Sequence, residues 1–189
     1  SCPSVSDNMV ITIRPNPTAN IGITGTNPIC SGSSSVVTFT ATPNTTVTYR
    51  VNSGPNQTIS IDGTGTATLN VVNLASTTTY TLVSVGYTNT PSCTQPANGS
   101  ATITVNPIAT VNPGGPDFVC QSSTPSPITL AGASFTVATT AAWTITSGGG
   151  TLSNTNQTAT PQTVTYTPAA NYSGPVVLTL TTNDPHGAG

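Results

Sequence analysis

The sequence contains almost no charged side chains. Its 189 residues include two Arg, four Asp and one His, and Lys and Glu are absent. A chain with so few cations cannot form the basic groove that binds phosphates, so nucleic acid is excluded as a partner. No apolar run approaches the roughly 20 residues of a membrane-spanning helix, and the first residues lack the charged and apolar zones of a signal peptide. We expect a mature, internal piece of an exported protein.

The residues that catalysis usually needs are also scarce. His186 is the single His, and it lies in a Gly-rich segment with no nucleophile elbow around it. Glycoside hydrolysis requires two carboxylates that face one cleft, whereas each Asp here is isolated in a turn or at a strand edge, where Asp more often bonds its own backbone. We therefore predict that the protein is not an enzyme and needs no cofactor. The isolated carboxylates are Asp7, Asp62, Asp117 and Asp184.

The residues that are abundant indicate β-structure. Thr, Ser, Asn, Gly and Pro dominate, and Val, Ile and Leu alternate with Thr, as in half-buried strands. Short alternating runs separated by turns predict an all-β fold of tandem immunoglobulin-like β-sandwiches. The Asp62-Gly63 pair predicts a tight hairpin between two of these strands. The predicted strands of the first half cover residues 36–41, 47–51, 58–61, 66–71, 80–85 and 101–105.

An internal repeat divides the chain. The segment from Cys2 to Cys30 corresponds to the segment from Cys93 to Cys120, and in both an alternating strand precedes an Asn-Pro pair. The repeat predicts one complete sandwich over residues 17–106 and a second over 107–189, with Trp143 as a core residue of the second. The second sandwich lacks its last strand, and residues 1–16 have the sequence of such a closing strand. We interpret the chain as one period of a longer array, in which residues 1–16 close the sandwich of the preceding copy.

Several phrases of the sequence resemble a known family. They are "LTLTTNDP", "CPSVSDNMVITI", "ATVNPGGPDFVC", "SGGGTL" and "VTYTPAANYSG". They resemble the tandem immunoglobulin-like and PKD-like repeats of giant secreted surface proteins of Bacteroidota, including adhesins of the gliding-motility type. The resemblance covers nearly all of the second sandwich and residues 1–19, and the first sandwich more loosely. It implies export through the type IX pathway and a place outside the cell or on its surface.

Four cysteines in an exported chain indicate disulfides, and four cysteines allow three pairings. The repeat favours a bond between Cys30 and Cys93 of one copy, and a bond between Cys120 and Cys2 of the next copy. The alternatives are a bond between Cys2 and Cys120 within one copy, or two free thiols. Such a bond would stabilise a small sandwich by closing a long loop in the unfolded chain.

Three functions remain open. The chain is a stiff structural segment of a fibre or adhesin, or an adhesive module that binds glycans or another cell, or a separate subunit that assembles by strand addition through residues 1–16. Adjacent copies, head to tail, are the expected partners, and surface glycans are a further candidate. Core packing is the expected role of most aromatic residues, and Tyr87 and Tyr172 are the two that stand near turns. Calcium between Asp184 and Asp7 of adjoining copies is a weaker alternative, because two carboxylates supply too few oxygens.

Overall fold

The computed structural model describes residues 2–90, 92–115 and 117–184, and β-strands make up most of its regular structure. It divides into unit 1, Ser1–Val105, and unit 2, Asn106–Gly189. The helical content of the described ranges is one 3-10 turn, Pro161–Thr163, so none of their helices has the length and apolarity of a membrane span. The predicted all-β fold class is confirmed.

Unit 1 is formed by short strands that follow the predicted alternation. Its strands are β1 (Ala19–Ile23), β2 (Ile29–Cys30), β3 (Ser33–Ala41), β4 (Thr45–Val51), β5 (Asn56–Ile61), β6 (Thr66–Leu74), β7 (Thr78–Tyr87), β8 (Thr94–Pro96), β9 (Ser100–Ile103) and β10 (Val105–Asn106), which extends to the first residue of unit 2.

The strands of unit 1 form two main sheets. One sheet has the order β1-β3-β6, and the other has the order β5-β4-β7, with β8 and β9 both paired to the far edge of β7. Consecutive strands such as β3 and β4 therefore belong to different sheets, as in the Greek-key sandwich of immunoglobulin-like domains. A separate pair, β2 with β10, joins the start of unit 1 to its end.

The core of unit 1 lies between these sheets, because alternate side chains of each strand point inward. Val37, Phe39 and Val47 have no solvent-exposed surface. The ring of Tyr49 packs on Phe39 with 5.0 Å between the ring centroids, and the Tyr49 hydroxyl donates to Gln57 Oε1 at 3.1 Å. The period-2 pattern of the sequence thus fixes which face of each strand is buried.

The predicted hairpin at Asp62-Gly63 is wrong. β5 and β6, which flank it, pair with β4 and β3 respectively and not with each other. The turn therefore carries the chain from one sheet to the other. Asp62 Oδ1 accepts from the backbone N–H of Thr64 at 2.8 Å and from the Thr64 hydroxyl, a local bond that suits any tight reversal of the chain.

Unit 2 has shorter strands and a smaller core. Its strands are β11 (Thr110–Asn112), β12 (Ile128–Thr129), β13 (Ser134–Thr136), β14 (Ala141–Ser147), β15 (Gly150–Leu152), β16 (Thr165–Pro168) and β17 (Val177–Thr182). They form the pairs β11-β13 and β14-β17 and the three-stranded sheet β12-β16-β15. β13 ends at Thr136, because Val137 has a φ of 67°, outside the extended region.

Trp143 is the centre of the unit 2 core, as predicted. It is 2% exposed and lies opposite Leu180 of β17. Its indole Nε1 donates to the carbonyl oxygen of Pro161 at 3.1 Å, so the one polar atom of the ring is satisfied inside the core. Ala141 and Val164 complete the buried cluster with Ala133 and Leu180.

Threonine pairs occupy the outer faces of both units. The hydroxyls of Thr79 and Thr102 lie 2.9 Å apart across β7 and β9, and those of Thr24 and Thr38 lie 2.7 Å apart. Cross-strand pairs of this kind stabilise a sheet through side-chain hydrogen bonds. In unit 2 the same contact joins Thr110 to Thr136 and Thr146 to Thr179.

Candidate strand-binding groove

The N-terminal segment, residues 2–13, contains no strand and lies outside the sheets of unit 1. Its apolar side chains are open to solvent: Met9 is 82% exposed, Ile11 73% and Ile13 89%. Contacts with the sandwich begin just after it, where Arg14 stacks over the Tyr87 ring at 5.0 Å and the Tyr87 hydroxyl donates to the Pro15 carbonyl at 3.1 Å. The segment is thus a strand-like sequence without a strand partner among the described residues.

Unit 2 contains an open groove with a volume of about 810 Å³. Trp143, Leu178 and Leu130 form part of its apolar lining. One side is the stretch of residues 117–122, and the other is the stretch of residues 172–178 at the start of β17. Its size and its apolar lining match a site for a small ligand or a short peptide.

One edge of β17 opens onto this groove. β17 pairs with β14, and within residues 106–115 and 117–184 no strand pairs with its other edge. The N–H of Asn183 donates to the Thr140 carbonyl at 3.0 Å and so points toward the β14 side. Because backbone groups alternate in direction along a strand, those of Leu178 and Leu180 point toward the open edge.

Residues 117–120 border the groove in a stretch that belongs to no strand. Phe118 is 93% exposed and Val119 is 56% exposed. The stretch is held at its end by Gln121, whose Nε2 donates to the Asn171 carbonyl at 2.7 Å. Neither Phe118 nor Val119 was predicted from the sequence; comparison of Val119 with the buried Ile29, each of which stands just before the second Cys of its segment, would have identified an apolar site here.

All four cysteines are unpaired in the structure. Cys30 lies beside β10, near the start of β7, since the N–H of Ile29 donates to the Thr104 carbonyl at 2.9 Å. The Cys93 carbonyl accepts from the N–H of Tyr87, the last residue of β7, at 3.1 Å.

The ends of β7 are about 30 Å apart at the rise of an extended strand. A disulfide requires Cα atoms within about 7 Å. The fold therefore does not bring Cys30 and Cys93 together, because the repeat gives their separation along the chain and not the end of the sandwich at which each lies. The predicted bond of Cys120 to Cys2 of another copy stays a prediction.

The carboxylates are dispersed. Asp7 accepts from the backbone N–H of Asn8 at 2.8 Å, and Asp117 borders the groove. Hydrogen bonds from the Thr64 hydroxyl and then from the Thr64 N–H lower the pKa of Asp62. Among the described residues no three His, Cys, Asp or Glu side chains are grouped as metal ligands would be. His186 lies outside the described residues.

Most aromatic side chains are buried, as predicted. Five are at most 6% exposed, and Phe135 is partly buried beside the unit 2 core. Tyr172 is partly exposed, and its hydroxyl donates forward to the Pro175 carbonyl at 3.0 Å. The five buried side chains are Phe39, Tyr49, Tyr80, Trp143 and Tyr166.

Comparisons with known proteins add little to this geometry. No family model matches the sequence, and no curated protein matches it. Among solved structures, the chain is similar to a marsupial T cell receptor, with 9% identity over 92% of this chain and a TM-score of 0.41, and it spans 63% of that receptor chain. It is also similar to the CARDB domain of a Pyrococcus furiosus protein, with 14% identity over 48% of this chain, 95% of that domain and a TM-score of 0.27. The immunoglobulin-like assignment therefore rests on the strand order given above.

Proposed function

We propose that this chain is a structural segment of a cell-surface or extracellular fibre or adhesin, in which copies follow one another head to tail and their sandwiches act as a stiff stalk. The N-terminal segment is the observation that carries the proposal. Its apolar side chains Met9, Ile11 and Ile13 are 73–89% exposed. Neighbouring apolar residues that stay this open usually mark a surface that another molecule covers.

Two further features support a structural role rather than a catalytic one. Charged residues make up 3% of the chain, and the sheet faces carry threonine pairs such as Thr79 with Thr102. The resemblance to bacterial surface repeats adds the extracellular location. Stiffness would come from the short connection at Asn106-Pro107, which lacks a Gly-Ser linker. A Cys30 to Cys93 staple is not part of the proposal, since the two lie at opposite ends of β7.

The proposal is tested by fractionating the native source and measuring the polypeptide mass under reducing, denaturing conditions. We expect the polypeptide in the surface or extracellular fraction, either as a chain many times heavier than 18.9 kDa or as separate subunits that sediment as fibres before denaturation. A native chain found unassociated inside the cell would overturn the proposal.

A second candidate is an adhesive module, and Phe118 is the observation that favours it. Its ring is 93% exposed at the border of the unit 2 groove, where an aromatic face is available to stack on a sugar. A glycan array probed with the wild-type chain and with Phe118→Ala separates this candidate from the first. Glycan binding that depends on Phe118 would support adhesion, and absence of binding in both would leave only the structural role.

A further inference from the structure

The strand pair β14-β17 of unit 2 corresponds to the pair β4-β7 of unit 1. In unit 1 the aromatic Tyr49 lies opposite Leu82, and in unit 2 the aromatic Trp143 lies opposite Leu180. In both units the next two pairs of opposite residues advance by one residue along each strand. Leu178 therefore occupies the place of Tyr80, and Val176, two residues earlier, the place of Thr78.

In unit 1, a strand covers the second edge of β7. β9 pairs with it in a register that sets Ala101 opposite Tyr80 and Ile103 opposite Thr78. Ile103 has no exposed surface and Ala101 is 7% exposed. The chain then continues past Thr104, whose carbonyl accepts from the N–H of Ile29 at 2.9 Å. One passage of chain thus closes the sheet edge and also buries Ile29, which is 3% exposed.

In unit 2 both of these places are open. The edge of β17 at Leu178 has no partner strand within residues 106–115 and 117–184. Val119 stands just before Cys120, as Ile29 stands just before Cys30, yet it is 56% exposed. A single added strand would cover both the edge and Val119, because one strand does so in unit 1.

The N-terminal segment has the sequence of that strand. Met9-Val10-Ile11-Thr12-Ile13 aligns with Ala101-Thr102-Ile103-Thr104-Val105, so that an Ile-Thr pair occupies the same place in each. Its inward positions would be Met9 and Ile11, which are 82% and 73% exposed. Binding would therefore bury apolar surface on both partners and satisfy the open backbone groups of β17.

We propose that the unit 2 groove binds residues 8–13 of a second copy of this chain as an antiparallel strand, with Met9 opposite Leu178 and Ile11 opposite Val176. The inference rests on the proposed head-to-tail function and names its binding site. The groove volume of about 810 Å³ leaves room for Met9, which is larger than Ala101 and whose flexible side chain fills irregular space.

Asp117 adds a polar contact to this arrangement. In unit 1 the corresponding residue, Asn27, holds the closing strand: its Oδ1 accepts from the N–H of Thr104 at 2.8 Å, and its Nδ2 donates to the Thr102 carbonyl at 3.0 Å. Asp117 borders the groove three residues before Cys120, as Asn27 stands three residues before Cys30. The Asp117 carboxylate can accept a bond equivalent to that from the Thr104 N–H, donated here by the N–H of Thr12 of the bound segment.

The first experiment titrates the wild-type chain with a synthetic peptide of residues 6–15. Trp143 is the single Trp of the chain and lines the groove, so we expect a saturable change in its emission and slower hydrogen exchange at Leu178 and Leu180. The register is checked with matched peptides. Replacing the inward Ile11 with Asn should weaken binding more than about tenfold, because a buried aliphatic side chain is lost, whereas Val10→Asn, which points outward, should leave it within about twofold.

The second experiment asks whether the strand comes from another molecule. Full-length Ile11→Asn carries a defective donor strand, and full-length Val176→Asn carries a defective groove. By analytical ultracentrifugation, wild-type mass should rise with concentration, each variant alone should stay monomeric, and their mixture should form a one-to-one dimer and nothing larger. The urea transition of Trp143 emission verifies that unit 2 of each variant is folded.

Three results would overturn the inference. They are a wild-type chain that neither associates nor binds the peptide, a peptide whose affinity is lowered equally at Val10 and Ile11, and a groove occupied at every concentration by a strand of the same molecule. None of these depends on where the native protein is located or on its native mass. The fibre proposal can therefore fail or stand separately from the strand-binding groove.

Discussion

Units 1 and 2 differ in where the chain goes after the strand that carries the central aromatic residue. In unit 1 that strand, β4, is followed by β5, which pairs with it in the same sheet. In unit 2 the corresponding β14 is followed by β15, which crosses to the other sheet and pairs with β16. Both arrangements occur among immunoglobulin-like sandwiches, so the shared pairs β4-β7 and β14-β17 are the conserved centre and the next strand is free to switch.

The difference also appears in the cores. Thirteen buried apolar residues form the unit 1 cluster and five form that of unit 2. Burial of apolar surface is the main favourable term in folding, so unit 2 without a partner strand should be the less stable of the two. Trp143 reports on unit 2 by fluorescence, and far-ultraviolet circular dichroism reports on both units, which makes the comparison measurable in one chain.

The largest expected effect follows from removing a large side chain from the core of unit 1. Phe39→Ala removes a ring with no exposed surface and should lower the free energy of unfolding of unit 1 by about 3–5 kcal/mol. In a urea titration the circular dichroism transition should move to lower urea while the Trp143 transition stays in place. Phe118→Ala, at a 93% exposed position, is the matched control and should shift neither. Equal shifts of both probes would mean that the two units unfold together.

A glycine substitution should weaken unit 2 alone. Gly150 has a φ of +135°, and a Cβ there would lie 2.5 Å from the Thr167 carbonyl and 2.6 Å from the Tyr166 ring. Gly150→Ala should cost about 1–3 kcal/mol or more in backbone strain and collision, seen as an earlier Trp143 transition in urea. Gly115→Ala, where a Cβ meets nothing within 4 Å, should leave that transition unchanged. If Gly150→Ala left the Trp143 transition unchanged, this result would contradict the described β15-β16 geometry.

Asn27 tests the closing strand of unit 1. Asn27→Ala removes both hydrogen bonds to the strand that includes Thr102 and Thr104 and should cost unit 1 about 1–2 kcal/mol. Asp117→Ala, at the corresponding place in unit 2, should not alter the stability of a dilute monomer, because in the proposed assembly the strand that Asp117 holds comes from another copy. A loss of unit 2 stability in that variant would show that Asp117 already has a structural role within its own unit.

Acid should weaken unit 1 slightly through Asp62. Its folded pKa is lowered by the Thr64 hydrogen bonds, below the unfolded value of about 3.9. The carboxylate therefore stabilises the fold above about pH 4, and this contribution disappears as the pH falls through the folded pKa. The urea midpoint of unit 1 should drop between about pH 5 and about pH 2, and Thr64→Ala should reduce that drop. An equal drop in the variant would assign the acid effect to other groups.

Reduction should have the smallest effect. Because all four cysteines are unpaired within one copy, dithiothreitol should leave the urea midpoints of both units of a dilute monomer unchanged, and four thiols should react in the denatured monomer without prior reduction. Cys93 is partly buried whereas Cys30 is exposed, so Cys30 should be labelled before Cys93 in the native chain. A urea midpoint that falls on reduction would show that a disulfide is present and would require Cys30 or Cys93 to lie elsewhere.

The sequence predicted what depends on local alternation and missed what depends on pairing partners. Strands β3, β4 and β7 were predictable because inward and outward residues alternate over at least six consecutive positions of each. The short strands β2, β8 and β11 were not predicted, since pairing with a distant strand defines them; β2 exists because β10 lies beside it. The Asp62-Gly63 hairpin failed for the same reason, because a turn sequence predicts a reversal and does not specify which sheet receives the next strand.

The sequence predicted which sandwich has an open site and which segment resembles the missing strand, but it did not predict which side chains are exposed there. The repeat indicated that the second sandwich lacks a strand like residues 9–13, because an alignment of the two repeat segments is sufficient for this inference. The exposure of Phe118 and Val119 was not foreseen, since an apolar stretch before a Cys is buried in unit 1 and open in unit 2. The predicted bond between Cys30 and Cys93 is absent from the structure, because spacing along the chain does not specify which end of a sandwich a residue reaches.

The threonine pairs on the sheet faces have a consequence for the salt dependence of the protein. Hydroxyl pairs such as Thr79 with Thr102 and Thr24 with Thr38 carry no net charge, and the whole chain has a formal net charge of -2. Dissolved ions act on surface contacts mainly by screening charges within a Debye length of about 10 Å at 0.1 M, and these faces offer little to screen. The cross-strand hydrogen bonds of such a surface should therefore depend little on ionic strength, from fresh water to brine.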